Sequence, residues 1–360
     1  MPVGPAKTTA SDFQGPWARG LRHLDPGYFA LVMATGIVAL AAHQAGLPVV
    51  ARALSVIDVA AYVVLVLLVV ARFASFGRTA VADLTDHLRG PGHFTWVAGT
   101  CVLGSQLLVL DGRLAVAKGL WIAGALVWLL VTYAFFAAVT LRRRKPPLGD
   151  AISGSWLLAV VATQAVALLA AQIHQLDGWG GLGLLFLSHC LFLTGAVLYV
   201  LIIVVIFYRF TFLPIDAAHL SPPYWINMGA LAITTLTGAT LVSTTGPTPL
   251  WDGAGAFLLG LTLLFWAFGT WWIPLLLAFG AWRHLVARYP LRYAAEYWGL
   301  VFPLGMYSVA SRHLGYLVAW EPLHTFAQVF TLVALAAWTA TFLGLLLSWT
   351  RARGEVAPQR

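Results

Sequence analysis

The chain has 360 residues, of which 60% are hydrophobic and only 9% charged, with a formal net charge of +8. A soluble domain carries about 25% charged residues, so a soluble globular enzyme of this size is excluded. Its 16 Trp and 20 Phe exclude a disordered chain, and its 34 Gly and 18 Pro follow no period, which excludes a collagen-like or low-complexity one. What remains is an all-α polytopic membrane protein.

Residues 1–24 are polar and contain Pro and Gly. They lack the apolar core of a cleaved signal peptide and read as a cytoplasmic N-terminal tail. From Tyr28 onward, apolar stretches alternate with short polar links. The pattern predicts ten spans, at 28–46, 53–75, 93–110, 114–141, 152–173, 182–208, 222–244, 253–282, 296–316 and 322–349. Most reach the ~20 residues that cross a hydrocarbon core. The long even-numbered spans should tilt or protrude. Residues 25–349 thus read as one ten-helix transmembrane domain, and 350–360 as a cytoplasmic C-terminal tail.

The basic residues set the orientation. Seventeen of the 21 Lys and Arg fall in links on the N-terminal side, among them Arg22, Arg89, Arg142 to Lys145, Arg209, Arg283 and Arg292. The other four are Arg52, Arg113, Lys118 and Arg312. This asymmetry predicts that both termini are cytoplasmic, in the cell (inner or plasma) membrane. It also accounts for the positive charge, so no nucleic-acid partner is expected. The run Arg142 to Lys145 reads first as a topology anchor and second as a lipid-head-group site.

The odd-numbered spans repeat. Each opens on an aromatic: Phe29, Phe94, Trp156, Trp225 and Trp298. Small or hydroxylated residues follow: Thr35 and Gly36, Thr100 and Gly104, Thr163, Thr234 and Thr235 up to Gly238, then Gly305 and Ser308. Each odd span precedes a longer aliphatic one, so the unit is a helical hairpin repeated five times. Asp25-Pro26 and Ser221-Pro222 are cap-then-proline pairs, and Asp150 can cap the fifth span. Such starts aim five positive dipole ends at one membrane face. Spacings such as Thr100 to Gly104 suit helix packing as well as a pore.

No Asp, Glu, Lys or Arg falls in the middle of a predicted span. Asp58 and Lys118 sit near span ends, and Arg312 lies late in the ninth. Ionisable relays inside a membrane are functional by default, so their lack favours passive or weakly coupled movement through a neutral path. No nucleophile, metal-ligand set or acid/base pair marks an enzyme. Cys101 and Cys190 lie in apolar runs and read as buried small hydrophobes, without a disulfide or a zinc site. No cofactor is expected, although His43 and His189 on facing helices could ligate haem, as in a membrane-bound redox protein.

In the ninth span, Glu296 and Arg312 bracket an uncharged stretch that Pro303 and Gly305 interrupt. Proline removes a helical hydrogen bond, which predicts a kink. Such a short, broken, small-residue helix reads either as cavity-lining or as a packing kink.

The first span, Pro26-Gly27-Tyr28-Phe29 through Met33-Ala34-Thr35-Gly36-Ile37, resembles the opening signature of the tellurite-resistance/dicarboxylate transporter family. The ninth, Tyr297-Trp298-Gly299-Leu300-Val301-Phe302-Pro303-Leu304-Gly305, resembles its Trp-x-x-x-Phe-Pro-x-Gly segment. The slow anion channels of plant guard cells belong to the same superfamily. The resemblance covers about residues 25–349. It implies ten helices in five hairpins, with the odd helices around a central pore, and a homotrimer. It also implies that the Phe302 ring closes the pore; by spacing alone Phe302 is one core aromatic among many. Implied substrates are malate and related C4-dicarboxylates, sulfite, tellurite, nitrate and chloride. The short tails depart from the long phosphorylated tails of plant members, which puts kinase control in doubt.

Together these features predict an anion channel or transporter. Its pore would be lined by hydroxyls and backbone dipoles of the odd spans, with Thr35, Gly36, Thr100, Thr163, Thr234, Thr235, Pro303, Gly305 and Ser308 as candidates. Basic residues precede every odd span, and Arg22, Arg89 and Arg292 are expected to concentrate anions at the cytoplasmic mouth. The rivals are an ion-coupled dicarboxylate or sulfite exporter and the haem redox protein.

Overall fold

A computed structural model of the chain describes residues 15–244 and 254–354. The described residues are helical, with no strand among them. The helices are α1 (Pro16–Arg22), α2 (Ala30–Gln44), α3 (Pro48–Leu84), α4 (Phe94–Asp111), α5 (Leu114–Leu141) and α6 (Leu148–Ala151). They continue with α7 (Leu158–Asp177), α8 (Gly181–Phe212), α9 (Ile226–Thr244), α10 (Ala254–Ala281), α11 (Trp298–Val318) and α12 (Pro322–Gly354).

Five of these form a closed inner ring. α2 packs on α4, α4 on α7, α7 on α9, α9 on α11, and α11 returns to α2. Each packs against the helix that follows it: α3, α5, α8, α10 and α12 respectively. The inner helices have 15 to 21 residues and are rich in Ala, Gly and Thr, which lets their backbones approach closely. They are buried almost all round. The outer helices have 28 to 37 residues and expose Leu, Val and Phe, as a lipid-facing surface should. Nine segments among the described residues are long and apolar enough to cross a membrane. α11 is not one of them by that measure, although its packing closes the ring.

Every inner helix starts from a 3-10 turn: Pro26–Phe29, Gly90–His93, Gly154–Leu157, Pro222–Trp225 and Ala295–Tyr297. Proline opens three of the turns, where its fixed φ suits a helix start and its missing N–H is not needed. The five repeat aromatics sit in these turns or immediately after them. Asp25 caps the first as expected, its Oδ1 accepting from the Gly27 N–H at 2.7 Å. Two expected caps are absent. Ser221 makes no side-chain cap bond, and Asp150 sits within α6, three residues before the third turn's cap position at Ser153.

Two other expectations change. α11 runs without interruption through Pro303, so it is not a broken helix. The proline ring packs at the spot where a Cβ on Gly229 of α9 would stand, 2.6 Å from its Cγ, so the neighbouring helix accommodates the ring. And α3 starts five residues earlier than predicted, which places Asp58 well inside the helix rather than at its end. The tail residues 1–14 and 355–360 lie outside the described residues, as does residue 253 of the predicted eighth span.

Candidate functional site

The hydroxyls expected in the pore point elsewhere. Trp338 Nε1 of α12 donates to Thr35 Oγ1 of α2 at 2.9 Å. The Tyr62 hydroxyl of α3 and Thr100 Oγ1 of α4 share a hydrogen bond of 3.1 Å. Trp128 Nε1 of α5 donates to Thr163 Oγ1 of α7 at 2.9 Å. The Tyr199 hydroxyl of α8 donates to the Asn227 carbonyl of α9, and Trp266 Nε1 of α10 donates to Ser311 Oγ of α11. The pattern is cyclic: each outer helix anchors the inner helix of the next hairpin through an aromatic donor. Ser308 bonds Thr331 and the Ala327 carbonyl of α12. Thr234 and Thr235 spend their hydroxyls on the carbonyls of Ala230 and Leu231 in their own helix. In a membrane such bonds satisfy buried polar groups and hold the two rings in register.

The small residues of the inner ring serve close approach. A Cβ on Gly305 would meet Ile37 and Val38 of α2 at 3.0 and 3.1 Å, so Gly305 faces the α2–α11 seam. Gly36 faces α3 and α4. Pro303 faces α9, as described above.

The lumen itself is apolar. A cavity of about 110 Å³ lies inside the ring, toward the end opposite the 3-10 turns. Each inner helix contributes at least one apolar side chain to it, among them Ile37, Val102, Leu168, Leu236 and Met306. Ser105, Gln44, Gln172 and His313 supply its polar groups, and Gln44 Nε2 and His313 Nε2 stand 3.1 Å apart. On α11 the lining positions are Met306, Val309 and His313. The same helical spacing carried back one turn reaches Phe302, which is fully buried.

A second cavity, of about 720 Å³, lies at the end where the inner helices start. It touches the links before four of the five, including Leu88, Ser153, Ser221 and Tyr297. Arg209, Arg283, Arg292 and His219 line it, with Asp150 and Glu296. Arg209 and Arg283 are buried. Arg209 donates to the Tyr224 hydroxyl, and Arg283 donates to the Leu220 carbonyl and lies over the Tyr289 ring at 4.3 Å. Neither forms an ion pair among the described residues, and each keeps an Nε–H with no acceptor. Phe302 falls between this vestibule, which ends at Tyr297, and the outer cavity, which begins at Met306.

Of the three mouth arginines expected from sequence, only Arg292 lines the vestibule. Arg22 lines an apolar groove with Trp17 instead, and Arg89 is paired with Asp83 at 2.9 Å. The link before α4 is a neutralised cluster. Burial pushes the Asp86 carboxyl up, but N–H bonds from Arg89 and Leu88 and the Arg142 guanidinium outweigh it and hold the group below the usual carboxylate range. Arg209 and Arg283 were legible only as topology charges, because nothing local marks them as convergent.

His43 is exposed at the end of α2, while His189 on α8 bonds the Leu185 carbonyl of its own helix. α2 packs on α4, α11 and its neighbouring outer helices, and α8 packs on α7 and α9, so the two histidines are not brought together. No group of three or more metal-ligating His, Cys, Asp or Glu side chains occurs among the described residues. Cys101 is buried and Cys190 half-buried, both as free thiols.

Residues 23–346 match the family model described as voltage-dependent anion channel. The chain belongs to the voltage-dependent anion channel family. It is 42% identical over 149 residues to an uncharacterized membrane protein of Mycobacterium tuberculosis, across 41% of this chain and 75% of that protein. Two uncharacterized transporters of Methanocaldococcus jannaschii are 24% and 26% identical over 309 residues. These matches cover 83% of this chain and 86% and 85% of theirs. Membership in the anion channel family matches the resemblance carried by the first and ninth spans, and it makes the ring a membrane anion channel or transporter.

Proposed function

We propose that the inner ring is an anion path across the cell membrane, running from the basic vestibule past Phe302 to the outer cavity. One observation carries this reading: the buried Phe302 lies on α11 between residues lining a vestibule with two buried arginines outside any ion pair and residues lining a second cavity, in a chain of the anion channel family. An apolar constriction blocks ions by excluding water, so the Phe302 ring acts as the gate. The unpaired guanidiniums raise the local anion concentration without requiring a fixed charge in the lumen. The lining is mostly apolar and carries no basic residue other than His313, so selectivity for anions is set at the vestibule. Small inorganic anions and C4-dicarboxylates such as malate are the substrates, and three copies assemble in the bilayer. Residues 25–349 form the conducting unit, and no enzymatic step takes part.

The decisive experiment is a flux panel on purified protein in liposomes, with chloride, nitrate, sulfite, malate and tellurite. No flux above protein-free vesicles for any of them, in the wild type and in a Phe302→Ala variant alike, would reject the reading.

The vestibule has its own test. Arg292→Gln should lower flux about threefold at low salt, and the difference should vanish as added salt shortens the screening length. Arg22→Gln and Arg89→Gln should change flux little, because one lies in a different groove and the other is ion-paired. Equal effects from all three would point to topology charge alone.

Orientation is checked separately. With both termini cytoplasmic, reporters fused at Arg144 and Asp177 fall on opposite sides of the membrane. Reports from the same side would break the hairpin topology.

A further inference from the structure

Asp58 is the eleventh residue of α3, about 15 Å from the start of the helix, and it is fully buried. Neither carboxylate oxygen has a hydrogen-bond partner among the described residues. Across from it stand Gly36 of α2 and Gln106 of α4. A Cβ on Gly36 would lie 2.9 Å from Asp58 Oδ2 and 3.0 Å from Gln106 Oε1. Gln106 is also fully buried, and its Oε1 has no donor, while its Nε2 donates to Ser55 Oγ at 2.7 Å. Two acceptor oxygens from two helices therefore converge on the space left by the missing side chain of a third.

Two acceptors cannot satisfy each other. Turning the Gln106 amide over would give Asp58 one N–H donor and still leave its other oxygen bare. Among the described residues, no positive side chain pairs with the carboxylate. On α3, Arg52 pairs with Asp111 of α4, and Arg72 pairs with Asp83. α2 offers only His43, exposed at its end, and α4 otherwise offers Cys101. On α5, Lys118 pairs with Asp177. α1 and the first two 3-10 turns meet α3 at its far end, with Arg19, Arg22, Asp25, Tyr28 and His93. A bare carboxylate at membrane depth is strongly disfavoured, so a positive charge of another kind must accompany it.

We propose that Asp58, Gln106 and Ser55 form a site for one monovalent cation, a proton or a sodium ion, whose occupancy is coupled to anion passage along the adjacent lumen. A proton would bond to Asp58 and be donated to Gln106 Oε1. A sodium ion would take the same oxygens as ligands, with Ser55 Oγ beside them. The coupling rests on the anion-path reading and on proximity. Val102 both lines the outer cavity and stands 3.0 Å from the Gly36 gap, and Ile37, next to Gly36, lines the same cavity. The site is thus one residue behind the lumen wall. A bare Asp58 carboxylate repels an anion there, and a neutralised one does not. By linkage, the anion then tightens cation binding by the same factor.

The test uses the full chain in liposomes at clamped potential. Uptake of chloride and of malate is measured with an imposed proton gradient, with a sodium gradient, and with neither. The response is the ratio of uptake with and without the gradient within one variant. The wild type should respond severalfold to one of the two gradients, which identifies the ion. Asp58→Asn and Gln106→Leu should bring the ratio to one. A wild type indifferent to both gradients, or variants that keep its ratio, would overturn the coupled site. If no anion moves at all, the path reading has failed, and occupancy is read directly. The carbonyl-stretch band of a protonated carboxylic acid, or a sodium-dependent gain in melting temperature, should be present in the wild type and absent in Asp58→Asn. Neither signal in the wild type, or its persistence in Asp58→Asn, would remove the site itself.

Discussion

Phe302→Ala should raise anion flux per folded molecule at least about tenfold, a barrier reduction of ~1.4 kcal/mol. The residue is fully buried, and its helical position places it on the lining face of α11, one turn below Met306. A buried aromatic ring offers an ion no replacement for its hydration shell, so the ring's bulk and dryness make the barrier. Removing it widens and wets the constriction. A competing role makes a different prediction. A phenylalanine packed in an ordinary core loses roughly 3–5 kcal/mol on truncation to alanine, because a cavity is left among atoms that cannot follow. Flux and melting temperature measured on the same purified variant separate the two. High flux with a small loss of melting temperature supports the gate. A large loss of melting temperature with wild-type flux per folded molecule defeats it.

Gly154→Ala should cost about 2–4 kcal/mol of stability. A Cβ at Gly154 would stand 2.6 Å from both the Pro223 carbonyl carbon and Tyr224 Cα, and closer still to the Pro223 oxygen. These are backbone atoms of the Pro222–Trp225 turn, so no rotamer change relieves the clash. The turns at 154–157 and 222–225 carry links that line the vestibule, and forcing them apart disturbs its arginines too. Gly119→Ala on the exposed face of α5 is the control. Nothing lies within 4 Å of its Cβ position, and alanine in a helix interior is favoured over glycine by roughly 0.5–1 kcal/mol. Thermal unfolding in detergent should show a fall for the first and none for the second. Equal behaviour would mean that the two turns are free to separate.

Much of the architecture was legible along the chain. The long apolar stretches, their alternation with short links and the five aromatic starts correspond to the helix pairs and 3-10 turns of the structure. Prolines and Asp25 mark where inner helices begin because their effect on φ and on free N–H groups is local. Boundaries were less legible. α3 starts at Pro48 because the stretch 48–52 is compatible with helix although it contains Arg52, whose charge is met by Asp111 of another helix. A hydropathy window ends at such a charge, and that is why Asp58 read as terminal.

Class and the Phe302-Pro303 segment follow from the sequence by itself, because each rests on composition or on neighbouring residues. The rotation of each inner helix about its own axis is decided only in the tertiary structure. A helix in contact with water or lipid on one side reveals its buried face through its period, but the inner helices are apolar and buried all round, so no face is marked. Thr35, Thr100, Thr163 and Ser308 therefore looked fit for a lumen, yet they bond the outer ring. Arg209 and Arg283 lie 74 residues apart at the ends of two outer helices and meet at one cavity only because the five hairpins close into a ring. Asp58 and Gln106 converge on Gly36 for the same reason: their proximity belongs to the packing of three helices and to no pattern within any one of them.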